Sequence, residues 1–419
     1  MTFIMRGRLR YAAVSAVALL GALASVGGAA AEPAPAFRDL LAQTQANAPT
    51  LAEASAGVRQ AEGLARQAGA RPNPTAELTV ENFNGSGPYS GTGNAETTLS
   101  IGQPFELGGK REARVAAGRA ALEAARARQA QTRADFAATL ADAYAQAEAA
   151  ERRVSLAEEA VTLSDETLRA SRALVEAGKE AEVRALQAQA SLTAARASLD
   201  EARLERARAY ARLTALSGSP VLFSALTESL LTTARPAPAG DIDVLATPAV
   251  ITAQAEREAA ARRVRIEKTR AIPDVTVSAG FRQFSGDDSS ALIAGISIPI
   301  PVLDQNRGNI TAAQGELQAA EARLNAARLD TEADIRTARF QMDAAQSRVS
   351  AATEGEASAV EAYRLTRIAY ESGKAPLAEL ITARRALAEA RTQTIEAELA
   401  RVRAEADLAR LQGRLFGDR

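Results

Sequence analysis

The sequence predicts a mainly α-helical protein with a membrane β part, built as two copies of one unit: a long helical hairpin rooted on a β-hairpin. Three observations predict it. Landmark residues recur at fixed offsets: Pro49/Pro248 and Pro74/Pro273 lie 199 positions apart, while Pro104/Pro299, Gly178/Gly373 and Gly218/Gly413 lie 195 apart. The second copy has therefore lost four residues between its strands, and a repeat of this length copies a supersecondary unit rather than an active site. Each copy also carries two runs of alternating polarity, and each carries a very long stretch almost free of proline and glycine.

The first residues read as an export signal. A basic stretch (Arg6, Arg8, Arg10) precedes an apolar run from Tyr11 to Val26 and a small-residue end at Ala29-Ala30-Ala31, so residues 1–31 are expected to be removed by cleavage near Glu32. The run is shorter than the ~20 apolar residues of a membrane span. No later stretch is longer and apolar, so any return to a membrane is expected as β-strands.

Composition removes whole classes of function. Among 419 residues there is no Cys, His or Trp. Without Cys there is no disulfide and no acylated N-terminal cysteine, so a lipid anchor is not expected. Missing His and Cys also take away the common transition-metal ligands and the usual general base, which argues against an enzyme, a resident metal or a cofactor. The net charge of −1 comes from 50 basic and 51 acidic residues interspersed along the chain, giving no nucleic-acid footprint. Ala, Arg, Glu and Leu dominate, the mixture of long packed helices.

Residues 32–73 read as N-terminal helices interrupted near Pro49, ended by Arg71-Pro72-Asn73-Pro74. In residues 74–105 Ala76, Leu78 and Val80 alternate with Glu77, Thr79 and Glu81, and Leu99 and Ile101 alternate with Thr98, Ser100 and Gly102 across a polar, Gly-rich loop. Residues 106–218 form the first helical hairpin. Gly178 breaks it, and the heptad Val154, Val161, Leu168, Val175 with Ala157, Ser164 and Ser171 marks a close seam. Residues 219–245 read as a linker, and 246–272 as the helix equivalent to the first copy's. Residues 273–302 hold the second β-hairpin, with Val275, Val277, Ala279 and Phe281 alternating against Thr276, Ser278, Gly280 and Arg282. Residues 303–413 form the second helical hairpin, with its turn at Gly373, and 414–419 are a tail. Four strands with one apolar face cannot close a barrel alone, so copies must associate.

These features together resemble the TolC-like outer membrane factors over essentially the whole mature sequence. The turns Leu174-Val175-Glu176-Ala177-Gly178 and Ala369-Tyr370-Glu371-Ser372-Gly373 carry much of the likeness, although Val175 stands where an aromatic is common. Arg71–Pro74, Val80-Glu81-Asn82-Phe83 and Gln103–Arg111 are similar to the heavy-metal, CzcC-like branch. The resemblance implies a homotrimer whose four strands per chain make a twelve-stranded outer-membrane β-barrel above an α-helical periplasmic tunnel. It also implies two partners, a periplasmic adaptor and an inner-membrane pump of the resistance-nodulation-division type. Drug or type I protein export is the alternative within the family. A periplasmic adaptor has one hairpin rather than two, and a structural coiled coil has no use for alternating strands.

Candidate sites follow. The resemblance places a gate carboxylate six residues after the tip glycine, which is Glu379 in the second copy and Arg184 in the first, with Tyr370 as a restraint on the closed state. Glu379 is expected to repeat as an acidic ring, and Arg184 to pair with it. Tip residues Glu176, Gly178, Lys179, Glu371, Gly373 and Lys374 are candidates for adaptor contact. Glu77, Glu81 and Arg282 are expected in the barrel lumen, opposite the apolar strand faces. Gly108-Gly109-Lys110-Arg111 lacks the spacing of a phosphate loop and reads as a strand-to-helix turn. Glu158-Glu159 and Asp287-Asp288 read as solvated charge.

Overall fold

A computed structural model describes residues 32–233 and 241–416. The expected leader lies outside the described residues, as do part of the linker and the last three residues of the tail. Among the described residues six strands and seven α-helices follow one another, first as β1 (Glu32–Ala34), α1 (Phe37–Asn47), α2 (Pro49–Ala68), β2 (Thr75–Glu81), β3 (Glu96–Phe105), α3 (Lys110–Glu176) and α4 (Glu182–Ser217). The second half continues as β4 (Phe223–Leu226), α5 (Pro248–Arg270), β5 (Val275–Phe284), β6 (Ser289–Ser297), α6 (Arg307–Glu371) and α7 (Leu377–Leu411).

The duplication is visible in the backbone. Pro49 and Pro248 each open a helix at its first turn, where proline's missing N–H costs nothing. At 67 and 65 residues, α3 and α6 each run about 100 Å at ~1.5 Å per residue. Both end in the same turn. Gly178 and Gly373 take φ of 67° and 72°, and the following Lys179 and Lys374 amides bond back to Leu174 and Ala369 carbonyls. No atom lies within 4 Å of a Cβ built on either glycine, so only the left-handed backbone requires glycine there.

Small apolar residues make the seams. Leu168 of α3 packs with Ala188 and Leu192 of α4, joined by half-buried Val161. Ile335, Ala338, Met342 and Ala345 of α6 pack with Ala404, Leu408 and Leu411 of α7. α2 and α5 lie along the upper part of α3, and α7 joins the two hairpins by packing on α3 as well.

β2, β3, β5 and β6 form one antiparallel sheet in the order β2-β3-β5-β6. Its register aligns Leu78, Leu99, Phe281 and Leu292 in one row across all four strands, next to a row of Ala76, Ile101, Ala279 and Ala294. These residues share one face because directly opposed residues do. Leu78, Ile101, Leu292 and Ile296 are 65%, 59%, 91% and 72% exposed in the single chain. An apolar face this bare, beside two free edges, suits lipid on the face and further copies at the edges.

Three regions depart from the sequence reading. The N-terminal segment begins with a strand, since β1 pairs in parallel with β4 across nearly the whole first repeat. The segment expected to be a linker is a packed element in its described part, holding β4 and the fully buried Leu230 and Leu231. The described part of the tail packs into the core: Phe416 lies edge-on against Phe37, ring centroids 5.4 Å apart, and Phe37 packs likewise on Tyr144. These aromatics sit in the main core, where α1, the middle of α3 and the ends of α4 and α7 meet.

Candidate functional site

Polar side-chain clusters are spaced along the molecule from the sheet's loop end to the helical tips. On the polar face, Glu81 and Glu96 are directly opposed across β2 and β3, and Thr98 is opposed to Arg282 on β5. The Arg282 guanidinium bridges them: Nη1 is 2.9 Å from Glu96, Nη2 is 3.2 Å from Glu81, and Nε donates to Thr98 Oγ1 at 2.9 Å. Three residues of two repeats thus form one mixed-charge cluster near the hairpin loops. Glu77 lies on the same face two pairs closer to the helices, opposite Ser100, and is exposed. Glu96 was missed in the sequence because it stands at the end of a polar loop, where nothing local sets it apart.

At the sheet's other end the strands pass into helices through the segments that resemble the metal branch. Gly108 and Gly109 both take positive φ, 69° and 73°, making the strand-to-helix turn. Lys110 Nζ binds Asp274 Oδ1 at 2.7 Å, which also accepts the Leu107 amide, so this lysine is a structural tie between repeats. Gln103 donates to the Pro72 carbonyl at 3.2 Å, Arg111 to Gly69 and Arg114 to Ala70, with Arg114 also paired to Glu106.

Midway along, a buried polar knot ties the inter-repeat segment to the long helices α3 and α7. The Glu148 carboxylate on α3 accepts the amides of Leu230 at 2.8 Å and Leu231 at 3.1 Å, the Ser229 hydroxyl, and Arg152 Nη2 at 2.8 Å. Arg152 reaches on to Glu398 of α7 at 2.7 Å. Arg401 of α7 donates to the Leu231 carbonyl and to Glu405. Burial raises the Glu398 carboxyl above the usual range, against the pull of Arg152. It likewise pushes the Tyr144 hydroxyl, which donates to the Glu228 carbonyl, up to about 12.

Toward the tips the two hairpins are joined by arginines of α7. Arg384 donates to the Leu163 carbonyl of α3 at 3.0 Å, and Arg391 pairs with Glu159 of α3 at 2.6 Å and Glu356 of α6 at 3.7 Å. Glu158 pairs with Arg203 at 3.1 Å. Glu379 and Arg184 are both exposed, but Arg184 Nε lies 3.7 Å from Glu180 of its own hairpin. Among the described residues no ion pair joins Arg184 to Glu379 within one chain. The expected pairing is therefore not an intrachain contact, because each residue lies on the first turns of a different hairpin's return helix. Tyr370 is half-buried in the last turn of α6; Glu176, Gly178, Lys179, Glu371, Gly373 and Lys374 are all exposed at the tips, with Glu371 beside Arg367. Near the tips the inter-hairpin ties fall on Arg384 and Arg391, which no sequence signal distinguished from the many other helix arginines.

Comparison with known proteins decides what this scaffold is. The outer membrane efflux protein profile matches residues 40–219 and 245–414, one block per repeat. The chain belongs to the outer membrane efflux protein family. As such it is a channel component and not an enzyme. This efflux protein is 45% identical over 408 residues, 97% of its length and 93% of the relative's, to the nickel-cobalt-cadmium resistance protein NccC of Alcaligenes xylosoxydans xylosoxydans. It is 46% identical over 300 residues, 72% of each chain, to the nickel and cobalt resistance protein CnrC of Cupriavidus metallidurans. Its fold matches the transmembrane channel CusC with a TM-score of 0.76 at 19% identity, covering 90% of this chain and 92% of that one. The Neisseria gonorrhoeae MtrE outer membrane channel gives 0.76 at 20%, covering 90% and 89%.

Proposed function

We propose that this efflux protein is the passive exit duct of a tripartite heavy-metal efflux system. Three copies close the four-stranded sheet into a twelve-stranded barrel in the outer membrane, and their helices enclose a tunnel in the periplasm. Divalent cations of the nickel, cobalt and cadmium class are the cargo, delivered by a resistance-nodulation-division pump through a periplasmic adaptor. Cleavage of residues 1–31 releases a mature chain with no lipid anchor.

One observation carries the cargo assignment: nearly end-to-end identity of 45% with a relative named for nickel, cobalt and cadmium resistance. The chemistry agrees, because a chain without His or Cys offers such cations no tight ligands along the way and lets them pass. Selectivity then rests mostly with the pump and adaptor. Glu379, with Arg184 and Tyr370, forms the periplasmic gate between chains, and the six tip residues meet the adaptor. A deletion strain grown on graded nickel, cobalt and cadmium, and separately on organic toxicants, tests the assignment. Sensitisation to the metals alone, reversed by the intact gene, supports it; sensitisation only to organic compounds turns the reading to drug export.

A further inference from the structure

The apolar face of the sheet does not stop where β6 stops. Along β6 it runs through Leu292, Ala294 and Ile296, the members of the rows opposed to Phe281, Ala279 and Val277. Past Ser297 the same alternation in the sequence carries on to Ile298 and Ile300, 52% and 81% exposed. From Leu292 to Ile300 an extended chain at ~3.3 Å per residue measures about 26 Å, which at a barrel strand's tilt of about 35–45° rises about 20 Å of the ~25 Å apolar band. Beyond it the backbone turns, with the Val302 amide donating to the Ile300 carbonyl. Val302 is then 70% exposed and Leu303 99%.

The root of this loop is fixed while its tip is bare. Asn306, at φ 57°, donates through Nδ2 to the carbonyl and carboxylate of Glu267 on α5, and its amide bonds Asp304 Oδ1. The segment 299–303 therefore stands off a rigid base at the periplasmic end of the barrel. Exposed Arg270, paired to Glu267 at 2.6 Å, and exposed Arg307 flank it. A neighbouring copy that pairs along β6 covers that strand's edge and leaves its apolar face bare.

We propose that Pro299–Leu303 is a membrane-interface anchor, its apolar tip seated among the acyl chains of the periplasmic leaflet and its flanking arginines at the phosphate level. Apolar residues set beside cations are the composition of interfacial anchors generally. In a chain with no cysteine for acylation, such a loop fixes the depth of the barrel where it meets the tunnel. The proposal rests on the barrel reading, and the test separates the two.

The chain has no tryptophan, so a single introduced one reports alone. Ile296→Trp and Leu303→Trp are prepared as detergent-resistant trimers and reconstituted into phosphatidylglycerol-containing vesicles whose acyl chains carry bromine either near the carbonyls or near the chain ends. Ile296→Trp is expected to lose most emission with the deep bromines, and Leu303→Trp with the shallow ones. Quenching of Ile296→Trp without quenching of Leu303→Trp in either lipid overturns the anchor and leaves the barrel standing, with a second copy or water over the loop. No quenching of Ile296→Trp overturns the barrel reading, and the anchor with it.

Discussion

Arg282 on β5 places its guanidinium 2.9 Å from Glu96 on β3, joining the second repeat to the first on the polar face of the sheet. Glu81 completes the cluster at 3.2 Å, so each chain presents two carboxylates and one guanidinium, a net single negative charge, on that polar face. Arg282→Gln leaves Glu81 and Glu96 facing each other unneutralised. Trimer stability is expected to change by less than about 1 kcal/mol per chain, since the groups are partly solvated. Reversal potentials in a salt gradient are expected to shift toward cation selectivity. An unchanged potential places the polar face outside the conduction path.

The four matched glycines separate backbone strain from crowding. Gly373→Ala meets open space and is expected to cost roughly 1–2 kcal/mol for the left-handed backbone alone. Gly218→Ala carries the same backbone cost at φ 66° and also drives its Cβ to 2.4 Å from the Asn47 carbonyl oxygen. Thermal dissociation of the trimer in detergent is expected to fall further for Gly218→Ala than for Gly373→Ala. Equal losses contradict the crowded geometry.

Glu148 holds the inter-repeat segment to α3 by accepting two buried amides. Glu148→Ala is expected to destabilise by about 3 kcal/mol, because each buried amide left without an acceptor costs about 1–3 kcal/mol. Glu148→Gln keeps one acceptor oxygen and is expected to cost less. Urea unfolding followed by circular dichroism checks the order.

Glu398 makes stability depend on pH with a defined sign. Burial raises its folded-state pKa, so between the ordinary glutamate value and the raised one the native chain holds a proton that the unfolded chain has lost. Its contribution is fully present below that window and falls as pH rises through it. Glu398→Gln is expected to flatten this part of the melting-temperature profile. A slope that persists unchanged assigns it to another group, Asp135 being similarly raised by burial.

The inter-hairpin arginines and Glu379, the proposed gate carboxylate, make distinct predictions for conduction. Arg384→Ala with Arg391→Ala removes the bonds from α7 to Leu163 and Glu159, and is expected to raise single-channel conductance by loosening the second hairpin from the first. Glu379→Ala is expected to change conductance and weaken block by divalent cations. Wild-type values in both respects remove Glu379 from the gate.

Much of this fold was legible because it is periodic. The paired offsets mark the repeats, the alternation at Ala76–Glu81 and Val275–Arg282 marks strands, and Gly178 and Gly373 mark turns that only a left-handed backbone makes. What was not legible depends on contacts between distant segments. β1 and β4 are three and four residues long and pair only because α1 and the end of α4 bring them together. Phe416 is one aromatic near a chain end until Phe37 supplies its partner. Glu148 and Glu96 look like ordinary helix and loop acids, and their roles arise from amides and a guanidinium supplied by other parts of the chain.

On the proposed reading, threefold association in lipid satisfies the sheet edges and oily face that one chain leaves bare. Native mass spectrometry of the protein extracted from outer membranes in mild detergent tests this directly. The account predicts a particle of three mature chains that needs detergent to stay dispersed; a single-copy particle soluble in plain buffer contradicts it.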